Sequence, residues 1–233
     1  MPSEPPLPLA GITVIELGHS VAAPFAGQIL ADLGAEVIKI EKAAGDDARH
    51  WGPPFLDGAA ATFQGINRGK RSIELDLKQE AARTILRELA EKADVLVENF
   101  RPGAMQRLGF GYEQVKAWNP RIVYLSISGF GQTGPYSGYR VYDPVIQAVS
   151  GFADAHPDPD TQEPRLLQTL MCDKITALTA AQAITAALHG RQTSGEGCRI
   201  ELTPVDLGRI REAPETEVIR CEECRRILVR TSE

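Results

Sequence analysis

The chain has 233 residues, 43% of them hydrophobic and 24% charged, with a formal net charge of −6. That length can bury one sizeable core with a short appendage, and the composition is that of a soluble globular protein. An acidic balance without a dominant basic stretch argues against a nucleic-acid partner, and no apolar run is long enough to span a bilayer.

The opening MPSEPPLPLAG carries Glu4 and several prolines where a secretory signal would have a basic region and an apolar stretch, so no export signal is read there. Cys172, Cys198, Cys221 and Cys224 are unevenly spaced and do not form a disulfide framework. A reducing cytoplasm is the expected location.

The organising stretch is Gly11 to Lys42, GITVIELGHSVAAPFAGQILADLGAEVIKIEK. Ile12, Val14, Ile15 and Leu17 make an apolar run too short for a helix and too continuous for an exposed strand, which predicts a strand buried on both faces. Pro24 suits a first helical turn, and Phe25, Ile29, Leu30 and Leu33 share a helical face. Gly34 stops that helix, and Val37, Ile38 and Ile40 begin a second strand. The right-handed crossover makes the two strands parallel. Ligands in such sheets gather beyond the carboxyl ends of strands, so Gly18 to Ala23 is a candidate binding turn. It lacks G-x-G-x-x-G, which disfavours a dinucleotide site.

Ala43 to Phe63 reads as loop, punctuated by Gly45-Asp46-Asp47, Gly52-Pro53-Pro54 and Asp57-Gly58. The alternation in Ser72 to Lys78 predicts a strand, and Ala82, Ile85, Leu86 and Leu89 place an amphipathic helix over Gln79 to Lys92. Val95 to Val97 is a further buried strand. Ala104 to Leu108 and Tyr112 to Trp118 read as short helices, and Ile122 to Ile127 as a strand. Gly129 to Gly138 is a glycine-rich loop. After Val145 to Ser150 and a polar loop, a helix is predicted from Asp173 to about Gly190, with Ile175, Leu178, Ala181, Ile184 and Leu188 on its apolar face. Arg199 to Leu202 is the last strand. This alternation indicates an α/β fold with a doubly wound sheet.

Lys42, Arg68, Lys70, Arg71, Lys78, Arg101 and Arg107 lie near predicted element ends. Singly each reads as solvated charge; together they would neutralise phosphates. Asp173 reads as a helix N-cap, and the dipole there favours an ionised carboxylate able to act as a covalent nucleophile. His19 reads as a packed turn residue or a base, and Asp143 after Tyr142 is equally open. Hydrolase, zinc-protease and P-loop signatures are missing.

Five segments taken together resemble the family III CoA-transferases, which include formyl-CoA transferase, carnitine CoA-transferase and the α-methylacyl-CoA racemases. They are LAGITVIELGHSVAAPFAGQILADLGAEVIKIEK, NRGKRSIELDLK, ADVLVENFRPGAMQRLGFGY, NPRIVYLSISGFGQTGPY and DKITALTAAQAITAALHGRQTSGEGCRIEL, running from Leu9 to Leu202. The resemblance implies a Rossmann-like domain over residues 1–202, no metal, no permanently bound cofactor, coenzyme A or acyl-CoA as substrate with a carboxylic acid acceptor, and an interlocked homodimer. It implies that Asp173 is the catalytic aspartate. It also implies that CoA is contacted by His19, Ser20, Val21, Ala22, Lys42, Leu75, Lys78, Asn99, Phe100, Arg107 and Arg140. The implied mechanism passes through an aspartyl anhydride, with glycine-loop N–H groups stabilising the oxyanion.

Racemases of the family use a histidine where this chain has Tyr142, and a tyrosine with a pKa of about 10 is a poor base near neutrality. Transfer is therefore favoured over the alternative, 2-methylacyl-CoA racemisation or epimerisation. Family members are considerably longer, so this chain reads as truncated after Leu202, with an exposed sheet edge expected. Residues 203–233 resemble half of a C4-type zinc ribbon with one C-x-x-C, Cys221 and Cys224, where a structural zinc wants four ligands; a free dithiol is the better reading. An inactive fragment or interaction module is the remaining alternative.

Overall fold

The structure, a computed structural model, describes residues 5–205 and 219–221. Its strands are β1 (Thr13–Leu17), β2 (Glu36–Glu41), β3 (Phe55–Leu56), β4 (Ala59–Ala60), β5 (Arg71–Glu74), β6 (Val95–Glu98), β7 (Val123–Ile127), β8 (Cys198–Leu202) and β9 (Ile219–Cys221). Its helices are α1 (Ala22–Asp32), α2 (Ala61–Asn67), α3 (Glu80–Lys92), α4 (Ala104–Arg107), α5 (Tyr112–Trp118), α6 (Asp143–Val149) and α7 (Met171–Ser194).

The main sheet has the order β5-β2-β1-β6-β7-β8-β9. All neighbouring pairs from β5 to β8 are parallel, as expected for strands joined by helical crossovers. Val14, Ile15, Leu17, Val95, Leu96, Val97, Val123 and Leu125 are buried, so the central strands are covered on both faces. One face packs against α1 and α7 through Ala22, Ala26, Leu30, Ala177, Ala181 and Ile184. The other packs against α3, α4 and α5 through Leu86, Met105 and Val115. This is the expected doubly wound α/β architecture.

Strand order reverses between β1 and β6, which opens a crevice at the carboxyl ends of these two strands. Each crossover helix runs antiparallel to the strands it connects, so α1 and α7 both begin at that rim.

Several expectations are corrected. Ala43 to Phe63 is not plain loop: it holds a 3-10 turn at Asp47–His50, the β3–β4 hairpin and the start of α2. The Asp46 side chain accepts from the Ala48 N–H at 3.0 Å, and Ala48, Ala59, Ala60 and Phe63 bury one another in a satellite core. Such contacts leave no local periodicity. The strand expected over Ser72 to Lys78 stops at Glu74, because the Asp76 side chain accepts from the Lys78 N–H at 3.1 Å and turns the chain into α3.

Helix α7 starts two residues before Asp173. Leu178, assigned to its apolar face, is 57% exposed, whereas Ala181, Ile184 and Leu188 are buried. The edge of β8, expected to be open, pairs antiparallel with β9. The rest of the tail, Cys224 included, lies outside the described residues, as do residues 1–4 of the opening segment.

Candidate active site

The residues expected to bind CoA stand where the strands end. His19 to Ala22 follow β1, Lys42 follows β2, and Leu75 and Lys78 follow β5. Asn99, Phe100 and Arg107 follow β6, Arg140 follows β7, and Asp173 lies in the first turn of α7. Parallel connectivity therefore brings residues from across the chain to one rim of the sheet. Leu75 is buried there, while Lys42, Lys78, Arg107 and Arg140 are exposed. Two of the grouped cations are elsewhere. Arg68 pairs with Asp32 at 2.5 Å at the far end of α1, and Arg71 pairs with Glu36 at 2.6 Å at the amino ends of β5 and β2.

The turn after β1 is held by its backbone. Asn99 accepts from the His19 N–H at 3.0 Å and donates to the His19 carbonyl at 2.9 Å. This two-way amide clamp spans the crevice between β1 and β6. The Phe100 ring stacks on the His19 ring at 5.9 Å, and the Phe100 N–H donates to Glu98 Oε2 at 2.8 Å. Burial pushes the Glu98 carboxyl up to about 7. Crowding at the strand end lowers the His19 pKa despite the pull of Asp46 and Asp47, although the side chain keeps an exposed edge.

Ser20 has a φ of +65°, a left-handed conformation that costs a non-glycine residue about 1–3 kcal/mol unless its surroundings hold it. Its N–H donates to Asp46 Oδ1 at 3.1 Å. Asp46 Oδ2 is 3.0 Å from Lys39 Nζ, which is also 2.8 Å from Glu16 Oε1 and donates to the Gly18 carbonyl at 2.7 Å. Glu16 Oε2 is 2.7 Å from Lys70 Nζ. Glu16, Lys39 and Asp46 are buried, and the Lys70 side chain is only 2% exposed. Lys70 is thus no solvated surface cation: burial lowers its pKa to about 8 despite Glu16. Burial also pulls on Lys39, but Glu16 and Asp46 carry its pKa above the ordinary value. Sequence reading passed over Glu16, Lys39 and Asp46; the signal was a charge inside each of two largely apolar strands, Glu16 in TVIEL and Lys39 in EVIKIE, while Asp46 lies in the loop after β2 and carried none.

Asp173 is not the N-cap of its helix. The cap residue is Leu170, which supplies no side-chain acceptor. That role falls to Asp143 from α6, whose Oδ2 accepts from the Asp173 N–H at 2.8 Å. Gln147 donates to Asp143 Oδ1 at 2.5 Å and to the Thr169 carbonyl at 3.1 Å, and accepts from the Leu167 N–H at 2.8 Å. The segment leading into α7 is thereby fastened to α6.

The expectation that the dipole keeps Asp173 ionised is also corrected. Burial, reinforced by the Asp143 carboxylate, pushes its pKa up to about 7. Desolvation outweighs the helix end here. Tyr142, beside Asp143, is 63% exposed.

Among the described residues, no three His, Cys, Asp or Glu side chains group as metal ligands, and no helix is long and apolar enough to cross a membrane. Cys172 is buried, and burial pushes its thiol up to about 12.

Residues 9–208 match the model of CoA-transferase family III, and residues 196–228 match a C4-type zinc ribbon domain. The second range contains only Cys198, Cys221 and Cys224, one short of a four-sulfur site, so the donor set does not fit a closed structural zinc. The chain is 44% identical over 214 residues to a succinate–glutarate CoA-transferase of Agrobacterium fabrum, covering 89% of this chain and 53% of that protein. It is 45% identical over 206 residues to an acetyl-CoA:oxalate CoA-transferase of Acetobacter aceti, with 88% and 53% covered. A crystal structure of a CAIB/BAIF family protein from Brucella suis superposes with a TM-score of 0.84 at 43% identity, covering 88% of this chain and 55% of that one. The chain thus spans about half the length of the relatives it matches, and over that half both sequence and fold agree: it belongs to CoA-transferase family III.

Proposed function

We propose that this chain carries the CoA-binding and nucleophilic half of an acyl-CoA transferase that moves CoA between carboxylic acids through an aspartyl anhydride. The observation that carries the reading is Asp173, mostly buried at the start of α7, on the same rim as the clamped turn after β1. An Asp173 oxygen attacks the thioester carbonyl, forming a mixed anhydride and releasing CoA thiolate. The thiolate then attacks the Asp173 acyl carbon, giving an aspartyl thioester and the free donor acid. An incoming carboxylate reverses both steps and leaves as the new acyl-CoA, with Asp173 regenerated as a carboxylate.

Burial serves this chemistry in two ways. It destabilises the anion relative to water, making it more reactive, and it withholds water from the anhydride. Tyr142, at the position where the racemases of the resemblance carry a histidine, is exposed, which supports transfer over racemisation.

The reading further assigns residues 1–202 to the Rossmann-like unit, residues 203–233 to an appended tail, and a cytoplasmic homodimer as the working form. Val145, Val149 and Leu178 lie exposed on α6 and α7, apolar surface that a second subunit would cover.

The test mixes the full chain with a panel of acyl-CoA donors and carboxylate acceptors, then adds hydroxylamine and maps modified residues by mass spectrometry. A hydroxamate on Asp173, lost in Asp173→Ala while CoA binding persists, is the expected result. Binding of acyl-CoA without any modification at Asp173 would overturn the covalent mechanism.

A further inference from the structure

We infer that Glu16, Lys39 and Asp46 form a buried positioning device that holds the turn after β1 in its ligand-binding shape; as a statement about binding, this rests on the CoA-site reading above. Four successive backbone groups of the turn are each held by a side chain from another element. Lys39 of β2 takes the Gly18 carbonyl, Asn99 takes both groups of His19, and Asp46 takes the Ser20 N–H. Glu16 links this grip to the start of α1, because Lys70, its second partner, donates to the Pro24 carbonyl at 2.6 Å. Both ends of the turn are thereby fixed to one residue of β1.

The charges balance, two carboxylates against two ammonium groups, and α1 seals the cluster. A Cβ on Gly27 would stand 2.0 Å from Glu16 Oε2, so only glycine permits the close approach there. A buried ion cluster of this kind stabilises little compared with apolar packing of the same volume. What it supplies here is a fixed geometry, including the left-handed Ser20 that a chain without this support would leave. Glu16, Lys39 and Asp46 act through the turn, and their effect falls on CoA affinity, with the acylation of Asp173 in the bound complex unaffected.

The test compares the wild-type chain with Asp46→Ala and with Asp46→Asn, which keeps a side-chain oxygen to accept from the Ser20 N–H. Two measurements are made: backbone hydrogen exchange without ligand, and CoA affinity by calorimetry. In Asp46→Ala, exchange of the Ser20 amide is expected to accelerate about tenfold or more while β1 and β2 stay protected, and CoA affinity to fall about tenfold. Asp46→Asn is expected to retain more of that affinity than Asp46→Ala and to keep the Ser20 amide better protected, since the acceptor that holds the turn is still present.

Equal CoA affinity in wild type and Asp46→Ala, or loss of protection spread evenly through β1 and β2, would overturn the positioning role. Asp46→Asn exchanging and binding no better than Asp46→Ala would do the same. Failure of the wild type itself to bind CoA would sink the CoA-site reading instead, and the exchange data alone would then decide whether Asp46 holds the turn.

Discussion

The turn after β1 and the start of α7 stand on the same rim yet handle buried carboxylates in opposite ways. At the turn, Glu16 and Asp46 each face an ammonium group at 3.0 Å or less. At α7, the Asp173 carboxyl is raised by burial and by a second carboxylate, Asp143. The first arrangement fixes charge and geometry; the second holds a group near the balance between its two protonation states. A binding element needs an unchanging shape, whereas a nucleophile gains reactivity from an environment that suits its anion poorly.

Breaking the charge balance at the turn should have the largest effect on stability. Glu16→Ala leaves Lys39 and Lys70 buried without their shared partner, and a loss of about 3–5 kcal/mol is expected in urea unfolding. A loss below about 1 kcal/mol would show that water already screens the cluster.

The second contrast is sharpened by pH. The folded-state pKa of Asp173, about 7, lies above its ordinary value of 3.8. Between those values the folded chain holds a proton that the unfolded chain has released, so this residue's contribution to stability falls as pH rises and is lowest above 7. Asp173→Asn should therefore gain in Tm over wild type at pH 8 and gain little at pH 4. The acylation rate of the wild type should rise with pH through the same region, because only the anion attacks. Asp143→Asn keeps an acceptor for the Asp173 N–H but removes the like charge, and should move that limb to lower pH by roughly one unit. An unmoved limb would assign the shift to burial alone.

The smallest effect on stability is expected at Lys42, whose ion pair with Asp47 at 2.7 Å is exposed on both sides. Lys42→Ala should change unfolding free energy by less than about 0.5 kcal/mol while weakening CoA binding, measured on one preparation by urea titration and calorimetry. Stability falling as far as in Glu16→Ala would erase the distinction between exposed and buried pairs.

How much of this was legible beforehand depends on how local the cause was. The runs Val14-Ile15 and Val95-Leu96-Val97 announce buried strands because covering both faces demands continuous apolar side chains. Gly34, at a φ of +100°, ends α1 where the pattern of Leu30 and Leu33 runs out. The segments that resemble the family also placed Asp173 and the strand-end residues in chain order, which parallel topology converts into one rim.

The sequence by itself determined the alternation of strands and helices, the parallel sheet and the family, because each is written in short-range periodicity or in matched segments. Only the tertiary structure decided that Lys39 and Lys70 are buried opposite Glu16, that Asp143 caps a helix thirty residues further on, and that Asp173 is raised toward neutrality. Those outcomes depend on which side chains exclude water from one another across elements, and a lysine or aspartate in a linear chain carries no mark of who its neighbours will be.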